Sequence, residues 1–289
     1  MILAIVQTRT LARLKTIMNV LYFCPRWGQE HTRWDVFLQK VKEAGYDGAE
    51  VSLPPSKKEQ EKMLNGFAKY DLQFIGQHWE TVNPDFDKHL SEYETRLRSL
   101  AKAKPLFINT QTGKDYYSFG QNAKLISLAS DIANETGIPV IHETHRGKFS
   151  FAAHITKNFL EQIPGLLITL DISHWCNTAE TFLHDQAEAV ELALSRTEHI
   201  HSRVGYTEGP QITDPRAPEW EEALHFHLTC WDKVIDKHRE NGRKIFTVTS
   251  EFGAPPYMPL LPYTRQPVAD QWEVNVYMMN LLRQRYKQG

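Results

Sequence analysis

Residues 138–147 read IPVIHETHRG, and this stretch shows the pattern from which the fold of the whole chain follows. A run of mostly β-branched apolar residues predicts a buried β-strand. The run passes directly into two histidines, a glutamate and an arginine, and a glycine then turns the chain. A helical pattern follows over roughly residues 152–162. The stretch therefore predicts a strand–helix unit with ionisable side chains at the carboxyl end of its strand.

The same strand–helix unit recurs along the chain. The predicted strands are TIMNVLYF (16–23), YDGAEVSL (46–53), LQFIGQHW (72–79), PLFINTQ (105–111), IPVIHE (138–143), LLITLDISH (166–174), TEHIHSRV (197–204) and KIFTVTSEF (244–252). Three predicted helices are recognised by apolar faces, at Trp34, Phe37, Leu38 and Val41, at Leu125, Leu128, Ala129 and Ile132, and at Leu183, Ala187, Val190 and Leu194. The other five span roughly residues 57–70, 86–103, 152–162, 219–240 and 269–287. Strands that alternate with helices pair in parallel. Eight such units predict an α/β protein with a single (β/α)8 TIM barrel, eight parallel strands surrounded by eight helices.

A doubly wound open sheet is the alternative for alternating strands and helices. No G-x-G-x-x-G follows the first predicted strand, and no shift in composition indicates a second domain. We therefore expect one TIM-barrel domain over residues 1–289. Residues 1–14 are predicted to be an N-terminal extension, because they lack the basic start and the cleavage site of a signal peptide. Residues 205–220, rich in Gly and Pro, are predicted to form a long loop over the mouth of the barrel.

Composition narrows the classes of function. The chain has 289 residues, a net charge of -2 and a pI of about 6.7, so no cationic field attracts a nucleic acid. No apolar run of about 18 residues occurs, so no membrane partner is expected. Three widely spaced cysteines argue against a disulfide framework and for a reducing compartment. We expect a cytoplasmic protein.

Four predicted strands end in residues that suit a metal ion. These residues are Glu143, Asp171, His201 and Glu251. The carboxyl ends of barrel strands meet at one rim, so the four side chains are expected to converge. Three carboxylates and one imidazole suit one divalent ion, Mn²⁺, Mg²⁺ or Co²⁺, with Zn²⁺ also compatible. Each acid taken singly is equally consistent with a helix cap.

Five stretches in order resemble the xylose-isomerase-like superfamily, which includes the sugar phosphate isomerase/epimerase family. They are EAGYDGAEVSL (43–53), HETHRG (142–147), LDISHW (170–175), HIHSRVG (199–205) and SEFG (250–253). The resemblance implies one divalent metal held by the four strand-end residues. It also implies that Glu143 and Glu251 are catalytic and move protons on opposite faces of a substrate. His174 would bind a substrate oxygen beside the metal.

The sequence departs from the family at one place. Many members follow the histidine of strand seven with a Lys-Asp pair, whereas Ser202 and Arg203 follow it here. The substrate-binding role of Arg203 is therefore inferred from its position and charge alone.

Residue chemistry agrees with the function that the resemblance implies. A metal that bridges the carbonyl and hydroxyl of an α-hydroxyketone acidifies the adjacent C–H, and a carboxylate can then remove the proton. Proton return to the metal-stabilised enediolate isomerises or epimerises the sugar. We therefore expect a metal-dependent isomerase or epimerase that acts on a small-molecule carbohydrate or a derivative. Members of the family commonly form dimers or tetramers, so the resemblance is compatible with a homo-oligomer.

Further residues are candidates for substrate binding. Trp27 and Trp79 could stack on sugar faces or simply pack in the barrel, and His78 and Asn109 could bond hydroxyl groups. Arg146 could bind a carboxylate or phosphate, and a surface salt bridge is equally compatible. His142 and His145 flank Glu143 and are expected to point away from the site, because side chains alternate along a strand. Glu50 is expected to support the site from behind the ligands.

Three other functions remain open on the sequence. A metal-dependent lyase or dehydratase acting on a polyol or hydroxy acid would use the same site residues. A phosphodiesterase like the apurinic-site endonucleases would need about three zinc ions and histidines where Asn109 and the sequence DPR (214–216) stand. A non-catalytic sugar-binding barrel would leave both glutamates without a chemical role.

Overall fold

The computed structural model describes residues 18–287, so the predicted extension over residues 1–14 lies outside it. Eight parallel strands form a closed barrel in which each strand pairs with the next and β1 pairs with β8. The strands are β1 (Asn19–Pro25), β2 (Gly48–Val51), β3 (Gln73–His78), β4 (Ile108–Thr110), β5 (Val140–Glu143), β6 (Ile168–Leu170), β7 (Thr197–His201) and β8 (Ile245–Thr249). The predicted (β/α)8 fold class is confirmed.

Helices surround the barrel. They are α1 (Trp34–Glu43), α2 (Lys57–Lys69), α3 (Phe86–Lys102), α4 (Phe119–Thr136), α5 (Ala153–Gln162), α6 (Ser173–Ala179), α7 (Ala187–Ser195), α8 (Glu221–Glu240) and α9 (Gln271–Tyr286). Local sequence sets their ends, as in α4, where Ser118 and Gln121 form a capping box and Gly137 ends the helix with a φ of +71°. In the part of the chain that the structure describes, no helix has the length and apolar character of a membrane span.

Within residues 18–287 the structure has nine α-helices, whereas the sequence predicted eight. The stretch predicted as the end of strand six instead begins α6, and β6 stops at Leu170. The side chain of Asp171 accepts hydrogen bonds from both the backbone and the hydroxyl of Ser173, which turns the chain out of the strand. Leu183 was predicted on the face of the following helix, but it precedes α7 and has a φ of +58°.

The interior of the barrel is built in layers along the strands. One layer is apolar and contains Phe23, Ile75, Phe107 and Ile141. Two residues beyond the last three of these stand Gln77, Asn109 and Glu143, which share the inward direction because side chains alternate along a strand. The apolar layer therefore lies beneath a polar layer at the carboxyl ends of the strands.

Candidate metal centre

The structure brings together the four residues that the sequence predicted as metal ligands. One ligand atom from each lies within 4.8 Å of the ligand atoms of the others. All four residues are buried, and the most exposed of them, Glu251, exposes only 3% of its surface. They are Glu143 from β5, Asp171 after β6, His201 from β7 and Glu251 after β8. Four consecutive strand ends thus supply one compact set of three carboxylates and one imidazole.

The charges in this cluster fit a bound cation. Burial raises the pKa of Glu143 to about 8, and the charges of Glu251 and Asp171 act in the same direction, while His201 opposes them. Although burial lowers it, the pKa of His201 is raised well above its ordinary value by the surrounding carboxylates. Carboxylates crowded in a buried site repel one another unless a positive charge lies between them. The donor set and its electrostatics therefore fit one divalent ion, which Glu143, Asp171, His201 and Glu251 could hold.

Glu50 orients the imidazole of His201. Both carboxylate oxygens of Glu50 lie 3.0–3.1 Å from Nε2 of His201. Glu50 also accepts hydrogen bonds from the amide of Asn109 at 2.7 Å and from the hydroxyl of Thr249 at 2.6 Å. In the neutral ring, a carboxylate at Nε2 holds the ring hydrogen there and leaves the lone pair on Nδ1. Nδ1 faces the cluster, 2.8 Å from Oε2 of Glu251 and 3.9 Å from Oε1 of Glu143.

Two glutamines that the sequence analysis missed hold the two glutamates. The side-chain amide of Gln111 donates to Glu143 at 3.2 Å and 3.3 Å. The amide of Gln77 donates to Oε1 of Glu251 at 3.2 Å. Gln77 follows Ile75 by two residues, so alternation along the strand was the signal that could have identified it.

Arg203 lies between the acidic cluster and His174. Its guanidinium forms an ion pair with Asp171, and the same nitrogen lies 2.7 Å from Nε2 of His174 and 3.9 Å from Oε2 of Glu251. Burial lowers the pKa of His174 well below its ordinary value, so this ring is neutral. Nδ1 of His174 is buried and has no hydrogen-bond partner within residues 18–287, which leaves it available to a ligand.

The rings of His142 and His145 point in different directions, although both were expected to point away from the site. The ring of His142 bonds to the hydroxyl of Thr112 at 2.8 Å and lies away from the metal ligands. The ring of His145 packs against His174 with a centroid distance of 4.0 Å. The strand ends at Glu143, so the alternation rule does not extend to His145.

Aromatic rings line the mouth near Arg203. Trp27 packs edge-on against Tyr257 with a centroid distance of 4.8 Å, and the guanidinium of Arg203 lies 4.9 Å from the ring centre of Tyr257. A side chain on Gly253 would come within 2.1 Å of the Trp27 ring, so glycine is required there. The guanidinium of the exposed Arg146 lies 5.0 Å from the ring centre of Tyr257. The structure therefore places Trp27 and Arg146 at the mouth, together with Tyr257, which the sequence analysis missed.

Three predicted residues occupy other positions. His78 faces the helices, where its ring nitrogens bond to Glu80 at 2.8 Å and Thr81 at 2.9 Å. The side chain of Trp79 is 51% exposed. Asn109 is fully buried and donates to both Glu50 and Glu143. The structure thus places Asn109 behind the ligands and does not bring His78 or Trp79 to them.

The segment predicted as a long loop, residues 205–220, ends in a short 3-10 helix (Pro218–Trp220) and is attached to the segment that follows β8. The side chain of Gln211 bonds to the backbone of Gly253 in both directions, at 2.7 Å and 3.2 Å. Asp214 and Arg216 form an ion pair with each other at 2.6 Å. These contacts fix the loop beside Gly253, two residues after Glu251.

No protein-family model matches the sequence, and no curated protein matches it. Several solved structures match the fold. A 3-keto-D-glucoside 4-epimerase from E. coli has 13% identity and a TM-score of 0.58, with 92% of this chain and 100% of that chain covered. A probable 3-DHS dehydratase from Bacillus anthracis has 16% identity and a TM-score of 0.57, with 91% and 98% covered.

A third match is a xylose isomerase-like TIM barrel protein from Mycobacterium smegmatis, solved in complex with magnesium. It has 12% identity and a TM-score of 0.54, and the match covers 88% of this chain and 89% of that chain. At these identities the likeness establishes the fold. The chain has the fold of the xylose isomerase-like TIM barrels, as the resemblance in its sequence implied.

Proposed function

We propose that this protein is a divalent-metal-dependent isomerase or epimerase that acts on a sugar or sugar derivative. The observation that carries the proposal is the buried cluster of Glu143, Asp171, His201 and Glu251, with ligand atoms within 4.8 Å of one another. The structural match to an epimerase and to a magnesium complex supports it. A divalent ion bound in the cluster would polarise a substrate carbonyl and acidify the neighbouring C–H bond.

Glu143 and Glu251 are the two proton-moving groups of the proposal. They reach the centre from non-adjacent strands, and each is held by its own glutamine amide. One carboxylate removes the proton of the acidified C–H, and the other returns a proton to a substrate carbon. Return to the neighbouring carbon isomerises the substrate, and return to the opposite face of the same carbon epimerises it.

Arg203 and His174 bind the substrate oxygens. Arg203 carries a permanent positive charge next to Asp171 and Glu251, where it can stabilise negative charge that develops on oxygen. The free Nδ1 of His174 can exchange a hydrogen bond with a hydroxyl group. Trp27 presents an aromatic face at the mouth, on which the C–H face of a sugar can stack. We assign Asn109 to the support of the ligands, because its amide hydrogens already bond to Glu50 and Glu143.

Solvent exchange tests the proposal directly. The protein is incubated in D₂O with Mn²⁺ and a panel of ketoses and aldoses, and NMR follows deuterium into substrate and product carbons. We expect exchange at a carbon next to the carbonyl of at least one substrate, and its loss in Glu251→Gln with the barrel still folded. Glu240→Gln, at an exposed glutamate at the end of α8, is the matched control. Exchange that persists in Glu251→Gln would remove this residue from the mechanism.

A dehydratase is the second candidate, since a probable 3-DHS dehydratase has the same fold. Elimination also begins with removal of an acidified proton, and the same glutamates would serve. The two reactions differ in their products, because a dehydratase releases water and leaves a product that is one water lighter. Mass spectrometry of the mixtures from the exchange experiment separates the two.

A further inference from the structure

Lys148 is a buried lysine that the proposed reaction does not use. It lies on the loop after β5, only five residues beyond Glu143, and its surface is 7% exposed. Its backbone is fixed at both ends, because its N–H donates to His145 and its carbonyl accepts from Phe151, each at 3.2 Å. Among residues 18–287 its ammonium forms no ion pair, although a buried charge ordinarily requires one.

Lys148 lies near both positive and negative charges. Burial lowers the pKa of Lys148 to about 8, and the nearby Lys114 lowers it in the same direction, while Glu143 and Asp115 oppose them. Lys114 lies on the loop after β4, which is bonded to the loop after β5 through Phe149 N–H and the carbonyl of Thr112 at 3.2 Å. The two loops therefore bring Lys114 and Lys148 together.

Arg146 adds a third cation to the same rim. It lies two residues before Lys148 and is exposed, and within the described range it pairs with no carboxylate. The Tyr257 ring beneath it also contacts Arg203, so Arg146 stands next to the groups proposed to bind substrate oxygens. Lys114, Arg146 and Lys148 thus lie on neighbouring loops beside the acidic centre, although the whole chain has a net charge of -2. Cations grouped beside an acidic centre are typical of a site that receives an anion.

We infer that the substrate carries an anionic group, a carboxylate or a phosphate, which binds to Lys148 with Arg146 and Lys114 at its edges. This inference rests on the proposed function, because it assigns a substrate class to the same site. The ammonium of Lys148 supplies a point charge and hydrogen-bond donors, and a bound anion would form the direct ion pair that no carboxylate within residues 18–287 forms with it. The proposed metal centre would act on the carbon skeleton of the substrate, while the three cations would hold its anionic group.

Anion titration followed by NMR tests this inference without turnover. Inorganic phosphate and acetate are titrated separately into ¹⁵N-labelled full-length protein, with saturating Mg²⁺ and again after chelation, against chloride at equal ionic strength. We expect saturable shifts in the backbone signals of residues 113–115 and 145–149. The anion with the lower Kd then identifies the group as phosphate or carboxylate.

Three variants decide whether Lys148 is responsible. Lys148→Met is expected to raise the Kd at least tenfold, and Lys148→Arg, which keeps the charge, is expected to bind within a few-fold of the original protein. Lys102→Met, at an exposed lysine at the end of α3, is the matched control and should bind unchanged. Lys148→Met removes an unpaired buried charge and is expected to fold, with a Tm no lower than that of the original protein.

The inference is overturned if neither anion gives saturable shifts, or if Lys148→Met binds as tightly as the original protein. Mn²⁺ binding, measured by electron paramagnetic resonance on the same samples, separates the two proposals. Mn²⁺ binding without anion binding contradicts only the anionic substrate. Anion binding without Mn²⁺ binding contradicts only the metal-dependent function.

Discussion

Glu50 and His201 face each other across the interior of the barrel, with Nε2 of His201 3.0 Å from a carboxylate oxygen of Glu50. The opposite ring nitrogen lies 2.8 Å from Oε2 of Glu251. The ring of His201 is thus held from behind by one carboxylate and directed at the proposed metal by its other nitrogen. Carboxylates in this position fix the tautomer and orientation of metal-binding histidines.

Replacement of Glu50 should weaken metal binding. Glu50→Gln keeps the size of the side chain but removes the charge that holds the hydrogen on Nε2 of His201. We expect Mn²⁺ affinity to fall by about 10- to 100-fold, measured by electron paramagnetic resonance. The ¹⁵N shifts of the His201 ring should show a mixture of tautomers. Glu61→Gln, at an exposed position on α2, is the control. Equal Mn²⁺ affinity in Glu50→Gln and the original protein would show that Glu50 does not orient the ligand.

Metal removal should lower thermal stability. Without a cation the buried carboxylates repel one another, so an ion that binds only the folded state stabilises it. At a concentration of 100 times its Kd, Mn²⁺ should add about 2.7 kcal/mol. That gain corresponds to a rise in Tm on the order of 4–5 °C for a chain of this size. Calorimetry after chelation and after Mn²⁺ addition measures it. Asp171→Asn should lose most of the shift, and an equal shift in that variant would place the stabilising ion elsewhere.

The two glutamines should matter for the positions of the glutamates. Gln77→Leu and Gln111→Leu each remove a donor to one of the two proposed catalytic carboxylates, Glu251 and Glu143 respectively. Loss of a hydrogen bond to a charged group costs about 1.5–3 kcal/mol. If that loss falls on the transition state, kcat decreases by roughly 10- to 100-fold. Solvent-deuterium exchange rates measure the effect. Gln39→Leu, at an exposed glutamine on α1, is the control. Exchange rates that match the original protein in both variants would show that the amides do not position the glutamates.

Acid should destabilise the protein through His227. Its Nδ1 donates to the carbonyl of Ala223 at 2.8 Å, and its Nε2 accepts from the N–H of Gly205 at 3.2 Å, so the buried ring is neutral. Burial lowers its pKa to about 4, whereas the unfolded value is about 6.5. Between these values the unfolded chain binds the extra proton, so the free energy of unfolding falls as the pH decreases from 6.5 towards 4.

Denaturant unfolding of His227→Gln tests this effect. Between pH 6.5 and about pH 5 the histidine should contribute a loss of roughly 2 kcal/mol, which the variant lacks because glutamine does not titrate. The pH dependence of the variant should therefore be shallower than that of the original protein. Parallel curves for the two proteins would show that His227 does not stay neutral in the folded state.

The fold and the four clustered residues could be predicted because both follow from local patterns. Eight apolar runs alternate with helical faces, and parallel strands must present their carboxyl ends at one rim. Residues at these ends, such as Glu143 and His201, therefore converge whatever the details of the packing. Helix α6 could not be predicted in this way, because it depends on the hydrogen bonds between Asp171 and Ser173.

The residues around the ligands were harder to predict. His78 was predicted to bind substrate because a histidine can bond a hydroxyl group, and Gln77 was not considered. The alternation from Ile75 directs Gln77 inward and His78 towards the helices. Tyr257 and Lys148 lie on loops, where no periodicity gives the direction of a side chain. Their positions depend on contacts between loops that are distant in sequence, and only the three-dimensional structure reveals them.

Anomalous diffraction from Mn²⁺-soaked crystals tests the central claim most directly. The account predicts a single strong anomalous peak enclosed by Glu143, Asp171, His201 and Glu251, with Nδ1 of His201 directed at it. A map without a peak among these four side chains, or with the ion bound elsewhere on the protein, would contradict the account.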